Sequence, residues 1–259
     1  MIKKFFLWDD KMPNQKSDKK QSVKVFDTES KVTKLIEVTN PSVEIFYPTD
    51  DINNGIGILI CPGGSYQLLA IDLEGTEPAL WLNSLGYTTY VLQYRVPNNR
   101  NGAFNDIQRA FKLIKNKYNH TKLGVLGFSA SGHLSARLST NFSENSYHLV
   151  DEIDSENCKP DFSILIYPAY LDEGKNNSIS KSLTQDKNLN PIFIFGTKDD
   201  PYFNSIPVFT KYLKEITTNF QLQTLNSGGH GYGLRKGNLA AETWPILAEK
   251  WLNSITKQF

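Results

Sequence analysis

Three stretches of this chain carry residue types that together could do acyl-transfer chemistry. Ser129 stands in Leu123-Gly-Val-Leu-Gly-Phe-Ser-Ala-Ser-Gly-His133, where an apolar run passes into a helical pattern. His230 stands in the glycine-flanked run Ser227-Gly-Gly-His-Gly-Tyr-Gly233. Between them lies Gly196-Thr-Lys-Asp-Asp-Pro201, with two adjacent carboxylates. A serine hydroxyl is a weak nucleophile until a neighbouring base takes its proton, and a carboxylate that orients the imidazole completes the set. Ser129 is therefore read as nucleophile and His230 as base. Asp200 is the favoured acid, counted from Pro191 at the start of the preceding strand, with Asp199 as the alternative and Asp172 a more distant one.

A serine between a strand and a helix sits on a sharp turn that exposes its hydroxyl. Small residues are needed on both sides because strand and helix crowd there. Gly127 meets that need, and Ser131 stands where a second glycine would be expected; it reads as a residue of the helix N-terminus. The helix start favours negative charge developing nearby. Upstream, Cys61-Pro-Gly-Gly-Ser-Tyr66 follows another apolar run, and its glycines let backbone N–H groups turn toward a substrate oxygen. The N–H groups of Gly64 and Ser65 are expected to join that of Ala130 as an oxyanion hole. No Gly-Lys-Ser/Thr follows the glycines, so a phosphate loop is not indicated. No cluster of metal-ligand type surrounds the Asp-Asp pair, so neither a metal nor another cofactor is expected. The loop around His230 reads as mobile. His133, four residues past Ser129, is expected to point away from the hydroxyl as a packing or surface residue, with His120 and His148 solvated.

These residues need elements to hold them. Apolar runs at 56–60, 88–94, 123–126, 162–167, 192–195 and 220–225 read as strands. Helical patterns at 76–85, 104–118, 131–140, 206–216 and 242–255 alternate with them. Thr76 is a candidate helix N-cap and Gly86 a helix stop. Such alternation implies a mainly parallel, twisted sheet with helices on both faces. Every candidate residue follows a strand, which is where sites form in such sheets. Residues 1–40 read as an irregular, solvated arm packing on one domain at 41–259. The polar stretch 172–190 reads as a surface connection, with a lid as the alternative.

The chain resembles bacterial α/β-hydrolases of the acetyl xylan esterase or feruloyl esterase-like kind, close to the hormone-sensitive-lipase type. The resemblance runs from Leu7-Trp8 to near the C-terminus. Besides the three motifs above and Cys61–Tyr66, it is carried by Glu74-Gly75, Tyr94-Arg-Val-Pro97 and Tyr167-Pro-Ala-Tyr170. Ser65 and Ser131 replace glycines of the usual family pattern, and Gly196 replaces a histidine. The resemblance implies an α/β-hydrolase fold and hydrolysis of short carboxylic esters, often acetyl groups on sugars. It also implies Asp200 as acid, Arg95 with Asp106 as a structural ion pair, and a structural role for Glu74.

Composition narrows the classes. The 259 residues suffice for one large α/β domain. The formal net charge of +1, from 28 basic and 27 acidic side chains, points to neither nucleic acid nor an anionic membrane. There is no apolar run long enough to span a membrane. The partner expected is a small-molecule ester or acetylated oligosaccharide, and oligomeric state is left open. The apolar stretch after Lys3 and Lys4 is too short for a signal peptide, so a cytoplasmic location is expected, or a secreted or periplasmic one if a signal is missing. Cys61 reads as a small buried hydrophobe. A peptidase or amidase using the same residues, and a non-catalytic binding protein, are the competing classes.

Overall fold

The computed structural model describes residues 3–9, 12–173, 178–184 and 186–256. In chain order the strands are β1 (Lys3–Phe6), β2 (Val23–Asp27), β3 (Val32–Glu37), β4 (Ser42–Phe46), β5 (Ile56–Cys61), β6 (Leu69–Ala70) and β7 (Thr88–Gln93). Then follow β8 (Lys122–Phe128), β9 (Phe162–Ile166), β10 (Asp172–Glu173), β11 (Ser178–Ile179), β12 (Ile192–Thr197) and β13 (Phe220–Leu225). The helices are α1 (Glu77–Ser84), α2 (Arg100–Lys117), α3 (Ala130–Thr140), α4 (Ser205–Ile216) and α5 (Leu239–Thr256).

Eight strands form the main sheet in the order β1-β4-β7-β5-β8-β9-β12-β13. From β7 to β13 every pairing is parallel, and β4 and β1 add an antiparallel edge. Strands β5, β7, β9 and β12 are buried along their whole length because both faces are covered. In β12, Phe193 and Phe195 join the cluster that holds Trp244 and Trp251 of α5. The alternate residues Ile192 and Ile194 pack with Ile206, Phe209 and Leu213 of α4. The two-residue period of the strand thus sends successive side chains to helices on opposite faces.

The N-terminal segment differs from expectation. It is not irregular: β1 extends the main sheet, and β2 and β3 join β6 in a three-stranded antiparallel sheet. Exposed edge strands bury few side chains and leave no apolar run, and β2 is exposed along most of its length. The segment is also not wholly solvated. Leu7 and Trp8 are buried, and the Trp8 indole donates to Asp106 Oδ1 at 2.7 Å. Thr76 does not cap α1 with its side chain. Its hydroxyl donates to Ile71 O at 3.3 Å, within a π-helical turn at Asp72–Thr76 that leads into the helix. The polar stretch contains the β10–β11 hairpin and a 3₁₀ turn at Lys181–Leu183, with Leu183 buried. Lys175, expected there as part of a polar surface, lies outside the described residues.

Candidate active site

Strand β8 delivers Ser129, β12 delivers the Asp199-Asp200 pair and β13 leads to His230, all at the carboxyl edge of the parallel sheet. Ser129 has φ 51° and ψ −122°, a conformation that an L-residue holds only when its surroundings impose it, at a cost of about 1–3 kcal/mol. Crowding imposes it. A Cβ on Gly127 would lie 2.2 Å from Ser131 O, so strand and helix meet there with no room for a side chain. Ser131 is not a capping residue of α3. Its buried hydroxyl accepts from Phe128 N–H at 2.9 Å and also contacts Phe128 O and Cys61 O, tying the turn to the end of β5. A hydroxyl small enough to fit and able to bridge backbone groups explains why serine serves there.

Ser129 Oγ lies 2.7 Å from His230 Nε2, and His230 Nδ1 lies 2.7 Å from Asp200 Oδ2. Asp200 is 6% exposed and its second oxygen accepts from Tyr202 N–H at 2.7 Å, so the carboxylate is fixed in direction. The neighbouring carboxylate turns elsewhere. Asp199 accepts from the N–H groups of Gly228 and Gly229 at 3.1 and 2.9 Å. Those bonds hold its pKa below the ordinary carboxylate value. One dipeptide thus orients the imidazole with one side chain and anchors the loop that carries it with the other.

That loop was expected to be mobile because of its glycines. It is anchored on both sides of His230. Thr197 Oγ1 donates to Gly229 O at 2.7 Å and Asn238 Nδ2 to Gly228 O at 2.8 Å. Beyond the histidine, Gly233 N–H donates to Tyr167 Oη at 3.1 Å, while the Trp244 indole donates to Gly233 O at 2.7 Å.

In the loop after β5, Gly63 N–H is taken by Glu74 Oε2 at 2.7 Å. Gly64 bends back so that a Cβ would lie 2.2 Å from Leu68 O, and Ser65 follows at φ 58° with its side chain exposed. Among the described residues, no hydrogen bond uses the N–H of Gly64, Ser65 or Ala130. These groups remain available to a ligand oxygen.

Glu74 and Tyr167, which the sequence marks only through the family resemblance, are positioning residues here. Glu74 is 3% exposed and accepts from Gly63 N–H and from Tyr167 Oη, the latter at 2.8 Å. Burial pushes its pKa above 4.5, and the two donors work in the opposite direction. Tyr167 directly follows β9, the strand between β8 and β12, and its ring meets that of His230 edge-on at 5.2 Å. A chain of hydrogen bonds therefore runs from the glycine loop through Glu74 and Tyr167 to the histidine loop. The available signal was a carboxylate flanked by Leu73 and Gly75 and a tyrosine closing an apolar strand.

The other histidines stay apart from Ser129. His133 is buried, not superficial, between Tyr66 Oη at 2.8 Å and Ser182 Oγ at 2.9 Å. Its burial, together with Arg137 and Arg100, lowers its pKa to about 3. His120 is half-buried rather than solvated, with Nε2 2.6 Å from Tyr90 Oη, and His148 is exposed. Asp172, the remaining acid candidate, is bound to Ser205 and Asn204 instead. Cys61 and Cys158 are both buried free thiols. Among the described residues no cluster of three or more His, Cys, Asp or Glu could hold a metal ion.

This sheet order and the strained serine turn at its carboxyl edge define an α/β-hydrolase. The whole chain superposes on an acetyl ester-xyloside bifunctional hydrolase from Caldicellulosiruptor lactoaceticus with a TM-score of 0.77 and 26% identity, covering 98% of this chain and 96% of that one. An α/β hydrolase from a Medee basin deep-sea metagenome shares the fold at a TM-score of 0.68 and 21% identity, covering 92% and 98% of the two chains. In sequence, an acetylxylan esterase of Xylanibacter ruminicola is 32% identical over 121 residues, 44% of this chain and 23% of its own length. An endo-1,4-beta-xylanase B of Butyrivibrio fibrisolvens is 27% identical over 223 residues, 74% of this chain and 34% of its own length. The matches thus take in about a quarter to a third of these two curated relatives. No protein-family model matches the chain.

Proposed function

We propose that this chain is a carboxylic ester hydrolase that removes short acyl groups, acetyl foremost, from small-molecule esters including acetylated sugars. The observation that carries the reading is the unbroken relay Ser129 Oγ, His230, Asp200, with 2.7 Å at each step, on a strained turn beside three backbone N–H groups that have no partner among the described residues. Ser129 Oγ attacks the ester carbonyl while His230 Nε2 takes its proton, and Asp200 holds the imidazole in the tautomer that can accept it. The N–H groups of Gly64, Ser65 and Ala130 receive the oxyanion, and each such donor contributes about 10²–10³-fold. Collapse of the tetrahedral intermediate expels the alcohol, which takes the proton from His230. Water, activated by the same imidazole, then releases the carboxylic acid from Ser129.

The preference for small acyl groups rests on the walls of the site. Tyr202 stands 4.9 Å from the His230 ring and Tyr170 stands 5.7 Å from Tyr202, centroid to centroid, so aromatic rings bound the site on the histidine side. The sugar rests on what the relatives are named for: one an acetylxylan esterase, the other an acetyl ester-xyloside hydrolase. The test is kcat/KM for aryl acetate, butyrate and octanoate, followed by acetate release from acetylated xylo-oligosaccharides. Acetate is expected to lead the series. A preference for octanoate would remove the small acyl pocket, and acetate-ester turnover without release from any sugar would remove the carbohydrate. A fluorophosphonate that reacts at a residue other than Ser129 would overturn the mechanism.

A further inference from the structure

A second polar groove lies on the far side of His133 from Ser129. Its inner compartment is a cavity of about 420 Å³ lined by Arg137, Phe104, Asn105 and Ser182, with Lys181 and Glu144 among the exposed residues around it. Arg137 follows Ser129 by eight residues along α3, about 12 Å at the helical rise. Its guanidinium stacks on Phe104 at 3.9 Å, and its Nε is shut from solvent with no hydrogen-bond partner. Asn105, 1% exposed, receives the Ser146 hydroxyl on Oδ1 at 2.7 Å, which leaves Nδ2 without a partner.

Leaving donors unpaired is costly. A buried polar group without its bond costs about 1–3 kcal/mol, and a charged one more. Among the described residues Asn40, Ser135, Asn190 and Tyr232 also bury an unpartnered atom, but all are neutral, and Arg137 is the one charged side chain so placed. Of the chain's five arginines, Arg95, Arg109 and Arg235 are each ion-paired to a carboxylate. Arg137 and Arg100, which have no carboxylate partner among the described residues, both line this groove. Arg100 lies over the rings of Tyr66 and Tyr170 in an outer compartment of about 440 Å³ that includes Ser65. Asn14 and Asn101 line both compartments, so the groove leads from the glycine loop to Arg137.

We propose that Arg137, with Asn105 and Lys181, forms a subsite for the carboxylate of an acidic sugar unit, remote from the ester that Ser129 attacks. The guanidinium fork matches a carboxylate bidentately. The asparagine amides and Ser182 along the groove offer both donors and acceptors to sugar hydroxyls. Glu144 in the same compartment adds a negative charge that disfavours a dianionic phosphate more than a singly charged carboxylate. The link to turnover rests on the esterase reading above; the binding site does not.

Calorimetric titration of the full chain with a uronate monosaccharide, the matching neutral hexose and inorganic phosphate tests the site. Uronate is expected to bind more tightly than hexose or phosphate. Arg137→Gln, at an unchanged melting temperature, should weaken uronate at least tenfold and leave hexose unaffected. Lys181→Glu, at an exposed position, should produce a loss of similar size and decides the matter if Arg137→Gln does not fold. Uronate binding unchanged by the variant that folds, or no tighter than hexose, would overturn the site; tighter phosphate would overturn the carboxylate. In turnover, Arg137→Gln should lower the ratio of kcat/KM for acidic over neutral acetylated oligosaccharides. No turnover of any ester, with Arg137-dependent uronate binding intact, would remove the esterase and keep the subsite. Ester turnover without uronate binding would do the reverse.

Discussion

Two buried carboxylates, Asp106 and Asp200, sit in networks of similar chemistry and opposite character. Asp106 is fully enclosed and saturated. Its oxygens accept from the Trp8 indole, the Arg95 backbone N–H and two nitrogens of the Arg95 guanidinium, at 2.7–2.9 Å for the shortest contact of each. Nothing in that cluster is left to interact with anything else. Asp200 accepts from His230 and from the Tyr202 N–H, and its network ends on the Ser129 hydroxyl beside three N–H groups that have no partner among the described residues. The difference teaches where to look for chemistry in a polar interior. A network that closes on itself holds elements together, and one that stops short at an open cleft is waiting for a ligand.

The contrast can be broken or sharpened by substitution. Ser129→Ala should cut kcat by about 10⁵–10⁶-fold, the loss seen when a catalytic serine is removed, without lowering the melting temperature. Retention of more than a few per cent of activity in a preparation free of contaminating esterase would end the assignment. Asp200→Asn should cost about 10⁴-fold in kcat through loss of the correct imidazole tautomer. Asp199→Asn keeps an acceptor for the loop amides and should cost only a few-fold; the reverse ranking would move the acid by one residue. Asp106→Ala should show the opposite signature. Chemical denaturation should report a stability loss of about 3–5 kcal/mol, because the Arg95 charge is left buried and alone, while kcat per folded molecule stays near the wild-type value.

Glu74→Gln lies between these extremes. One of the two donors facing the carboxylate loses its acceptor, so the glycine loop should shift and kcat fall by about tenfold with KM little changed, near 1.4 kcal/mol. The pH dependence gives a second readout. Burial raises the folded pKa of Glu74 above 4.5, so its contribution to stability is complete below that value and falls away as pH climbs through the raised one. Melting temperatures measured across that window should show this decline in the wild type and lack it in the variant.

Much of this architecture is legible in the sequence because the parallel strands are buried on both faces. Ile56–Ile60 and Ile192–Phe195 are apolar runs that need no partner to be recognised, and the residues after them carry the glycine loop and the acids. Edge strands give no such signal. β1 reads Lys-Lys-Phe-Phe and β2 is mostly exposed, so their identity depends on neighbours far along the chain. The Asp199-Asp200 pair marks itself as a place for an acid, but the direction of each side chain is set by the turn at Asp200–Phe203. Glu74 and Tyr167 meet across 93 residues, and no local pattern encodes that encounter. Arg137 follows a helix periodicity that fits an ordinary surface charge, and it is set apart by a buried Nε that finds no partner among the described residues.

The N-terminal segment has a consequence for how the molecule is made. Trp8 binds Asp106, 98 residues later, and Leu7 O accepts from Arg109 Nε, 102 residues later. Pro13 O receives Arg95, and β1 adds to the outer side of β4. At a translation rate of about 5–20 residues per second, roughly 5–20 s pass before the last of these partners has been synthesised. This segment leaves the ribosome before its partners and is thus among the later parts of the fold to find its place. The arm works as a latch, closing over Arg95 and helix α2 once both exist and tying the ion pairs of the domain to a segment far upstream.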